Sequence, residues 1–187
     1  MRKSIQALMA LLLASSMHTV LAADEEAPAK IVSLANEKLI KLSSDPVLVQ
    51  AVKEENSKNK TLDSIKQADE EWMKVKGVND FMKSFMSNPC AERLKKLKAE
   101  YSFISETFVM DNQGANVCMS DKTSDYWQGD EPKWQKSFNG GKGTLFIDKV
   151  KFDQSSQAYL VQVSLPIKDG DTTIGAITIG IDVDKAE

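Results

Sequence analysis

Apolar residues recur every three or four positions along the first half of the chain, from residue 31 to residue 101. This period places the apolar side chains on one face of an α-helix. Ser-Ser-Asp-Pro at 43–46 and a polar run at 56–60 interrupt the pattern. The sequence therefore predicts a series of amphipathic helices, of which the three long ones span 31–42, 46–57 and 61–76.

After residue 101 the apolar period changes from about 3.6 to about 2, which is typical of β-strands. Turn sequences such as Asp111-Asn112-Gln113-Gly114 separate the alternating stretches. The five predicted strands span 103–110, 115–120, 143–152, 157–167 and 173–183. Helices followed by strands predict an α+β fold, in which long N-terminal helices pack on a five-stranded antiparallel sheet.

The last three strands carry two different sets of side chains at alternate positions. An aliphatic set suits the face on which the helices pack: Leu145, Ile147, Val161, Val163, Leu165, Ile177, Ile179 and Ile181. A mainly polar set occupies the other positions: Phe146, Asp148, Gln162, Ser164, Thr178, Gly180 and Asp182. A solvent-facing sheet would produce the second set, and so would a covered cavity with polar walls. Because an aromatic residue stands among the polar ones, we favour the cavity and predict five ligand-binding residues: Phe146, Asp148, Gln162, Ser164 and Thr178.

Residues 121–142 form a long insert between the second and third strands, and they are predicted to be irregular. The segment 125–134 reads DYWQGDEPKW. Aromatic walls with a few polar groups are typical of small-molecule sites, although tryptophans in a lid can also complete a hydrophobic core. We predict that the insert covers the polar sheet face and supplies five more ligand-binding residues: Tyr126, Trp127, Gln128, Asp130 and Trp134.

The first 22 residues have the layout of a secretory signal peptide. Arg2 and Lys3 precede an apolar run, and small residues surround Ala22. A membrane anchor is the alternative, but the run is about a dozen residues, shorter than the roughly 20 of a spanning helix. The sequence therefore predicts cleavage near Ala22 and a single periplasmic domain over 23–187, with a helical part at 28–101 and a sheet part at 102–184.

Loss of the signal peptide would leave 165 of the 187 residues and remove two of the 24 basic side chains. The remaining 22 basic and 27 acidic residues give a net charge near −5, which argues against nucleic-acid binding. The single histidine, His18, would also be lost, which excludes histidine-dependent nucleophiles, bases and zinc sites. We therefore predict a protein that is not an enzyme, and no residue pattern indicates a metal or a cofactor.

Cys90 and Cys118 are the two cysteines of the chain. An exported protein reaches an oxidising compartment, where unpaired thiols are uncommon. The sequence therefore favours a Cys90–Cys118 disulfide over two free thiols. Such a bridge would close a loop of about 29 residues and stabilise the fold by about 3–4 kcal/mol in the chain-entropy model.

Four segments, in their order and spacing, resemble the Cache domains, also called PDC sensor domains, which are extracellular PAS-like modules of bacterial receptors. They resemble, in turn, the long N-terminal helical region (45–72), the first hairpin (FVMDNQGANVCMSD), the segment after it (DYWQGDEPKW) and the closing hairpin (SLPIKDGDTTIGAITIGIDV). The resemblance covers almost the whole predicted mature chain. Most members of the family are receptor ectodomains, whereas this chain resembles a solo, soluble member.

The resemblance implies a ligand pocket on the sheet face beneath the insert, commonly for amino acids, amines or carboxylates. In amine-binding members, an aromatic residue and an Asp two positions later on the third strand hold the amino group, and Phe146 and Asp148 stand there. The family's Arg-x-Trp-Tyr segment, which holds a carboxylate, is here Pro132-Lys133-Trp134-Gln135. The usual Asp of the closing strand falls near Gly180.

The sequence thus predicts a soluble periplasmic protein that binds a small molecule of the amine, amino-acid or organic-acid class. Such a protein is not embedded in the membrane and can present its ligand to a membrane signalling partner. The alternative is an interaction module without a cavity, which docks on a membrane receptor or on a second copy of itself. The long helices would supply the docking surface, for example around Leu39 or Val52.

Overall fold

The helical half of the protein begins close to the predicted position. A computed structural model describes residues 25–154 and 156–186, so the predicted signal peptide lies outside the described residues. In these two ranges, no helix is long and apolar enough to span a membrane. Before residue 101 the described chain forms five α-helices and one 3-10 helix: α1 (Ala29–Glu37), the 3-10 helix (Leu39–Ser44), α2 (Pro46–Ser57), α3 (Leu62–Lys74), α4 (Asp80–Ser87) and α5 (Pro89–Glu100).

Local signals explain where these helices begin. Asp45 precedes α2, and its carboxylate accepts hydrogen bonds from the backbone N–H groups of Val47 and Leu48 at 3.0 and 3.4 Å. Pro46 fills the first helical position, where a backbone N–H has no helical partner in any case. Asn88 and the proline after it start α5 in the same way.

The predicted helix 31–42 is shorter than expected. α1 ends at Glu37, and the chain continues as a 3-10 helix. Residues three apart lie above one another in a 3-10 helix, so Leu39 and Leu42 both enter the core, where they are buried. Val52 of α2 is also fully buried. Leu39 and Val52 therefore cannot form the docking surface expected under the alternative function.

Six strands form one open antiparallel sheet in the described second half: β1 (Ile104–Met110), β2 (Asn116–Met119), β3 (Phe146–Ile147), β4 (Lys151–Asp153), β5 (Ala158–Asp169) and β6 (Thr172–Asp182). Their order is β2-β1-β6-β5-β3, with β4 also paired to β5. A short helix, α7 (Val183–Ala186), follows β6. Helices followed by an antiparallel sheet confirm the predicted α+β class.

The sheet has six strands instead of five because the predicted strand 143–152 is divided into β3 and β4. At the division, the Asp148 carboxylate accepts a hydrogen bond from the backbone N–H of Lys149 at 2.9 Å. The Val150 N–H donates to the Glu25 carbonyl at 2.7 Å. Both pieces pair with β5, so the division of the predicted strand does not change which strands are neighbours in the sheet.

The aliphatic sheet face packs on the helices, as the alternation predicts. Val163 and Ile179 are fully buried in the main core, together with Leu48 of α2 and Leu94 of α5. Ile147, on the short edge strand β3, is half-buried at the margin of the same core. The helices α1, α2 and α5 therefore cover one face of the sheet and leave the other face to the insert.

The insert contains a helix that was not predicted. Pro132–Phe138 form α6, and a short 3-10 turn (Asn139–Gly141) follows it. Pro132 stands at the first helical position, which favours a helix start there. A second, smaller core lies beneath the insert and includes Trp72 of α3, Phe85 of α4 and Tyr126 of the insert itself.

The predicted disulfide is present. Cys90 in the first turn of α5 and Cys118 in β2 form the bond, and both residues are fully buried. The bond ties the last helix before the sheet to an edge strand of the sheet.

Candidate functional site

The strand register brings residues of the predicted polar set together with two residues of β1. They form two rows that cross the sheet on the face opposite α1, α2 and α5. The first, which we call the covered row, runs across β1, β6, β5 and β3: Phe108, Thr178, Ser164 and Phe146. The second, which we call the open row, runs parallel to it: Glu106, Gly180, Gln162 and Asp148. Five residues of the predicted polar set are therefore neighbours in space, and Asp148 joins them through its backbone N–H, which donates to the Gln162 carbonyl at 2.9 Å.

Helix α6 lies over the covered row, so the insert covers this face as predicted. Ser164 and Thr178 are fully buried beneath it, and a hydrogen bond of 2.9 Å joins their hydroxyl oxygens. The Lys136 ammonium group of α6 lies 4.6 Å from the centre of the half-buried Phe146 ring. The two hydroxyl groups satisfy each other, and α6 closes this part of the face.

The open row forms the floor of a cleft of about 260 Å³, which we call the sheet-face cleft. Its polar lining comes from the sheet, from the β3–β4 connection and from the insert: Glu106, Glu131, Lys133, Asp148, Lys149, Lys151, Asp153 and Gln162. Two of the predicted ligand-binding residues, Asp148 and Gln162, are therefore part of one cleft. Carboxylates, ammonium groups and an amide face a single small space, which suits a small polar ligand.

Glu106 reaches into the cleft because Gly180 has no side chain. Gly180 lies between Glu106 and Gln162 in the open row, and a Cβ at Gly180 would stand 2.6 Å from Glu106 Cγ. The Glu106 side chain therefore crosses β6, where its Oε1 accepts a hydrogen bond from Gln162 Nε2 at 3.1 Å. Burial raises the pKa of the Glu106 carboxyl, against the lowering effects of the Gln162 hydrogen bond and the Lys133 charge.

Lys133 of α6 brings a positive charge to the cleft. Its side chain is only 12% exposed, and its ammonium group forms an ion pair with Glu131 at 2.9 Å. The same ammonium group lies 5.3 Å from the centre of the Phe108 ring. Glu131 therefore neutralises the charge of Lys133. Lys133 lowers the pKa of Glu106 by less than burial raises it.

Asp148 belongs to the cleft but has local partners. Its side chain is 18% exposed and forms an ion pair with Lys151 at 2.7 Å. It also accepts the hydrogen bond from the Lys149 N–H at the division of the strand. Of the two acids in the open row, Asp148 is thus neutralised by a neighbouring lysine. Glu106 has no such ion pair among the described residues, and its carboxyl group can accept further hydrogen bonds.

Two predicted residues of the insert make packing contacts away from the cleft lining. Tyr126 is buried in the second core, and its hydroxyl oxygen accepts a hydrogen bond from Lys60 Nζ at 2.6 Å. Trp127 is half-buried, and its Nε1–H donates to the Gln113 carbonyl at 2.8 Å. Both rings hold the start of the insert against the helical half and the first hairpin.

The other three predicted insert residues are also outside the cleft lining. Gln128 is buried, and its Nε2 donates to the Asp125 carbonyl at 3.0 Å. Trp134 is half-buried in α6, and its Nε1–H donates to the Asp111 carbonyl at 3.1 Å. Asp130 is exposed. The structure thus places the insert residues as supports of the cover, and a direct ligand contact for them stays a prediction.

Sequence reasoning missed Glu106, because the polar set was drawn from the last three strands and Glu106 lies on β1. A signal was present in the first strand, where Glu106 and Phe108 stand two positions apart on one face. Pairing of the first strand with the last would have placed them opposite Gly180 and Thr178.

Two larger cavities lie on the helical side of the molecule. One, of about 520 Å³ between α2, α3 and α4, we call the helical cavity, and Tyr126 is the predicted ligand-binding residue that lines it. A neighbouring groove of about 560 Å³ follows α2 to Cys90. Neither contains a residue of the open row.

No protein-family profile matches the sequence, and no curated protein sequence matches it. In structure, the chain is similar to the sensor domain of the V. cholerae histidine kinase DctB, with a TM-score of 0.48 and 13% identity over 84% of this chain and 52% of that one. It is also similar to the sensory domain of the Campylobacter jejuni chemoreceptor Tlp3 with isoleucine bound, with a TM-score of 0.42 and 15% identity over 86% of this chain and 65% of that one.

A third similar structure is the ligand-binding domain of the Pseudomonas aeruginosa PAO1 amino-acid chemoreceptor PctC in complex with GABA. Its TM-score is 0.38 and its identity 8%, over 83% of this chain and 62% of that one. This chain spans between about half and two thirds of the length of the three structures. They are sensor or ligand-binding domains of a histidine kinase and two chemoreceptors.

Proposed function

We propose that this chain is a non-catalytic sensor-type protein that binds a small molecule, and that the sheet-face cleft is its ligand site. The observation that carries the proposal is the half-buried Glu106 carboxyl, which has no counter-ion of its own. Within the described part of the chain, Gln162 is the side chain that hydrogen-bonds Glu106, and no ion pair includes it. Burial of an acid without a partner is unfavourable, and a ligand that supplies the partner would remove that cost.

The chemistry of the cleft favours a ligand with an ammonium group or several N–H donors. Glu106 has acceptor capacity beyond its hydrogen bond with Gln162, and Asp148 supplies a second carboxylate. Lys133 and Lys151 stand in the same lining and can hold an anionic group of the ligand. Among the predicted classes, this arrangement supports an amine or an amino acid over an organic acid.

The proposal includes export to the periplasm and presentation of the ligand to a membrane signalling partner. The signal-peptide layout of residues 1–22 supports export. The Cys90–Cys118 disulfide is a second support, because disulfides persist in oxidising compartments.

A thermal-shift screen of the protein without residues 1–22 tests the ligand site. The screen contains amines, amino acids, organic acids and purines, and we expect an amine or amino acid to raise the Tm. Glu106→Gln and Asp148→Asn keep the shape of the cleft and remove one charge each. Each substitution should weaken binding of that compound by about tenfold, or about 1.4 kcal/mol.

Asp171→Asn is the matched control, because Asp171 is an exposed acid in the turn between β5 and β6. It should bind the compound as the wild type does. The proposal fails if no compound class raises the Tm. It also fails if both cleft variants bind the active compound as tightly as the wild type.

A further inference from the structure

The helical cavity has the size and the walls of a second small-molecule site. Its volume of about 520 Å³ falls within the range of about 300–1,000 Å³ that is typical of ligand pockets. The apolar walls come from four elements: Ile65 and Ala68 of α3, Phe81 and Phe85 of α4, Val117 of β2, and Tyr126 of the insert. The helical cavity and the sheet-face cleft share no lining residue.

Three aromatic rings form one side of this cavity. The ring centres of Phe81 and Phe85 are 5.0 Å apart. The ring centre of Tyr126 lies 5.7 Å from that of Phe81 and 5.4 Å from that of Phe85. Trp72 is fully buried and contacts all three rings, so the wall is fixed in place. Phe81 is nevertheless 48% exposed, and an apolar ligand would remove that ring surface from water.

An acid lies at the polar end of the cavity, but its oxygens are occupied. The two Glu55 oxygens accept hydrogen bonds from Lys58 and Lys60, each at 2.6 Å. Although burial alone would raise it, these hydrogen bonds hold the pKa of Glu55 below its ordinary value. Glu55 is therefore an ionised group that is already neutralised, and it offers little to a cationic ligand.

Among the contacts of the described residues, Lys58 has more unused hydrogen-bond donors than Lys60. Lys60 donates to Glu55 and to the Tyr126 hydroxyl, and the Asp111 carboxylate lies 3.8 Å from its ammonium group. Lys58 uses one of its three donors on Glu55, and its side chain is 59% exposed. The lining thus presents an ammonium group with unused donors beside an apolar wall.

We propose that the helical cavity binds a small carboxylate with an apolar body. The apolar body lies against Phe81 and Phe85, and the carboxylate accepts hydrogen bonds from Lys58. Such a charge-assisted hydrogen bond is stronger than one to a neutral acceptor. This site is independent of the sheet-face cleft and of the ligand that binds there.

Phenylacetate is the probe for this site, with phenylacetamide as its uncharged analogue and phenethylamine as its cationic analogue. Each compound is titrated into the ¹⁵N-labelled protein, and amide signals are followed by NMR. Phenylacetate should shift the signals of Phe81 and Phe85 in a saturable way. The amide should bind about three- to fivefold more weakly, and the amine should leave these signals unchanged.

Lys58→Gln should weaken phenylacetate binding by about three- to fivefold, as expected for an ion pair with a largely exposed lysine. Lys53→Gln in α2 is the matched control, because the Lys53 side chain is 48% exposed and paired with Asp169 instead. It should leave the affinity unchanged. Equal affinity for the carboxylate and the amide would overturn the proposal, and so would equal affinity of the wild type and Lys58→Gln. Shifts confined to residues of the sheet-face cleft would overturn it as well, and would show that the probe binds in that cleft instead.

Discussion

Glu106 loses much of its hydration when the protein folds, and it gains one amide hydrogen bond in return. This exchange favours the neutral acid over the carboxylate, so burial raises the pKa of Glu106. A raised pKa means that the folded protein binds this proton more tightly than the unfolded chain does. The ionised form therefore lowers the stability of the ligand-free protein, and the position is suited to a partner that arrives from outside.

Glu106→Gln should stabilise the ligand-free protein at neutral pH by about 1 kcal/mol. The new amide keeps an acceptor for Gln162 and removes the charge. The gain should be absent below about pH 4.3, the ordinary pKa of a glutamate, and should grow as the pH rises through the higher folded-state pKa. Urea unfolding at several pH values measures it. A variant that is less stable than the wild type at pH 7 would show that the carboxylate already has a partner.

The residues of the site could be predicted only in part. Asp148 and Gln162 were predicted to lie on the same face of the sheet, because alternation along each strand decides which face a side chain occupies. The structure places both in the lining of one cleft. Glu106 depends on how the first and last strands pair, which alternation does not encode. Tyr126 was predicted to line a pocket on the polar sheet face, yet its ring packs against Trp72 and lines the helical cavity instead. The pattern of single helices does not say which aromatic rings will meet.

At the scale of the elements, local signals predicted the boundaries best. The start of α2 follows from Asp45 and the proline after it. The division of strand 143–152 could not be predicted, because it involves Glu25, which is far away in the sequence and pairs with Val150. Helix α6 was also missed, although Pro132 is a local signal for its start.

β6 accommodates the Glu106 side chain only because position 180 lacks a Cβ. Gly180→Ala would place that atom 2.6 Å from Glu106 Cγ, so we expect a loss of about 1–3 kcal/mol from the free energy of unfolding. In the Glu106→Ala background the obstacle is gone, and the same change should cost less than about 0.5 kcal/mol. Urea unfolding of the four proteins completes a double-mutant cycle. An equal cost in both backgrounds would assign the strain to the backbone of β6 and not to Glu106.

For the molecule as a whole, the change of apolar period at residue 101 was enough to predict the α+β class. The order of the strands in the sheet was not predicted, because strand order depends on contacts between distant segments. The disulfide was predicted from the cysteine count and the expected compartment. In the structure it is a covalent link between the helical half and the edge strand β2.

Replacement of both Cys90 and Cys118 by alanine should lower the free energy of unfolding by about 3–4 kcal/mol. The two cysteines are 28 positions apart, and in the chain-entropy model the bond restricts a loop of that length in the unfolded chain. Urea unfolding measures the loss, and a reducing agent is the control. It should bring the wild type to the stability of the variant and leave the variant unchanged. A loss below about 1 kcal/mol would mean that residual structure already restricts this loop in the unfolded chain without the bond.

A long, flat edge strand offers a row of unpaired backbone groups to any other chain that approaches it. The β3–β4 edge of this sheet offers no such row. β3 ends after two residues, the chain turns at Asp148, and Lys149 and Lys151 add charge on the far side of the turn. A second copy of the protein would find too few consecutive backbone groups there to add a strand. The same division that places Asp148 in the cleft therefore interrupts this edge of the sheet, so the cleft can open beside the edge without a long row of unpaired backbone groups.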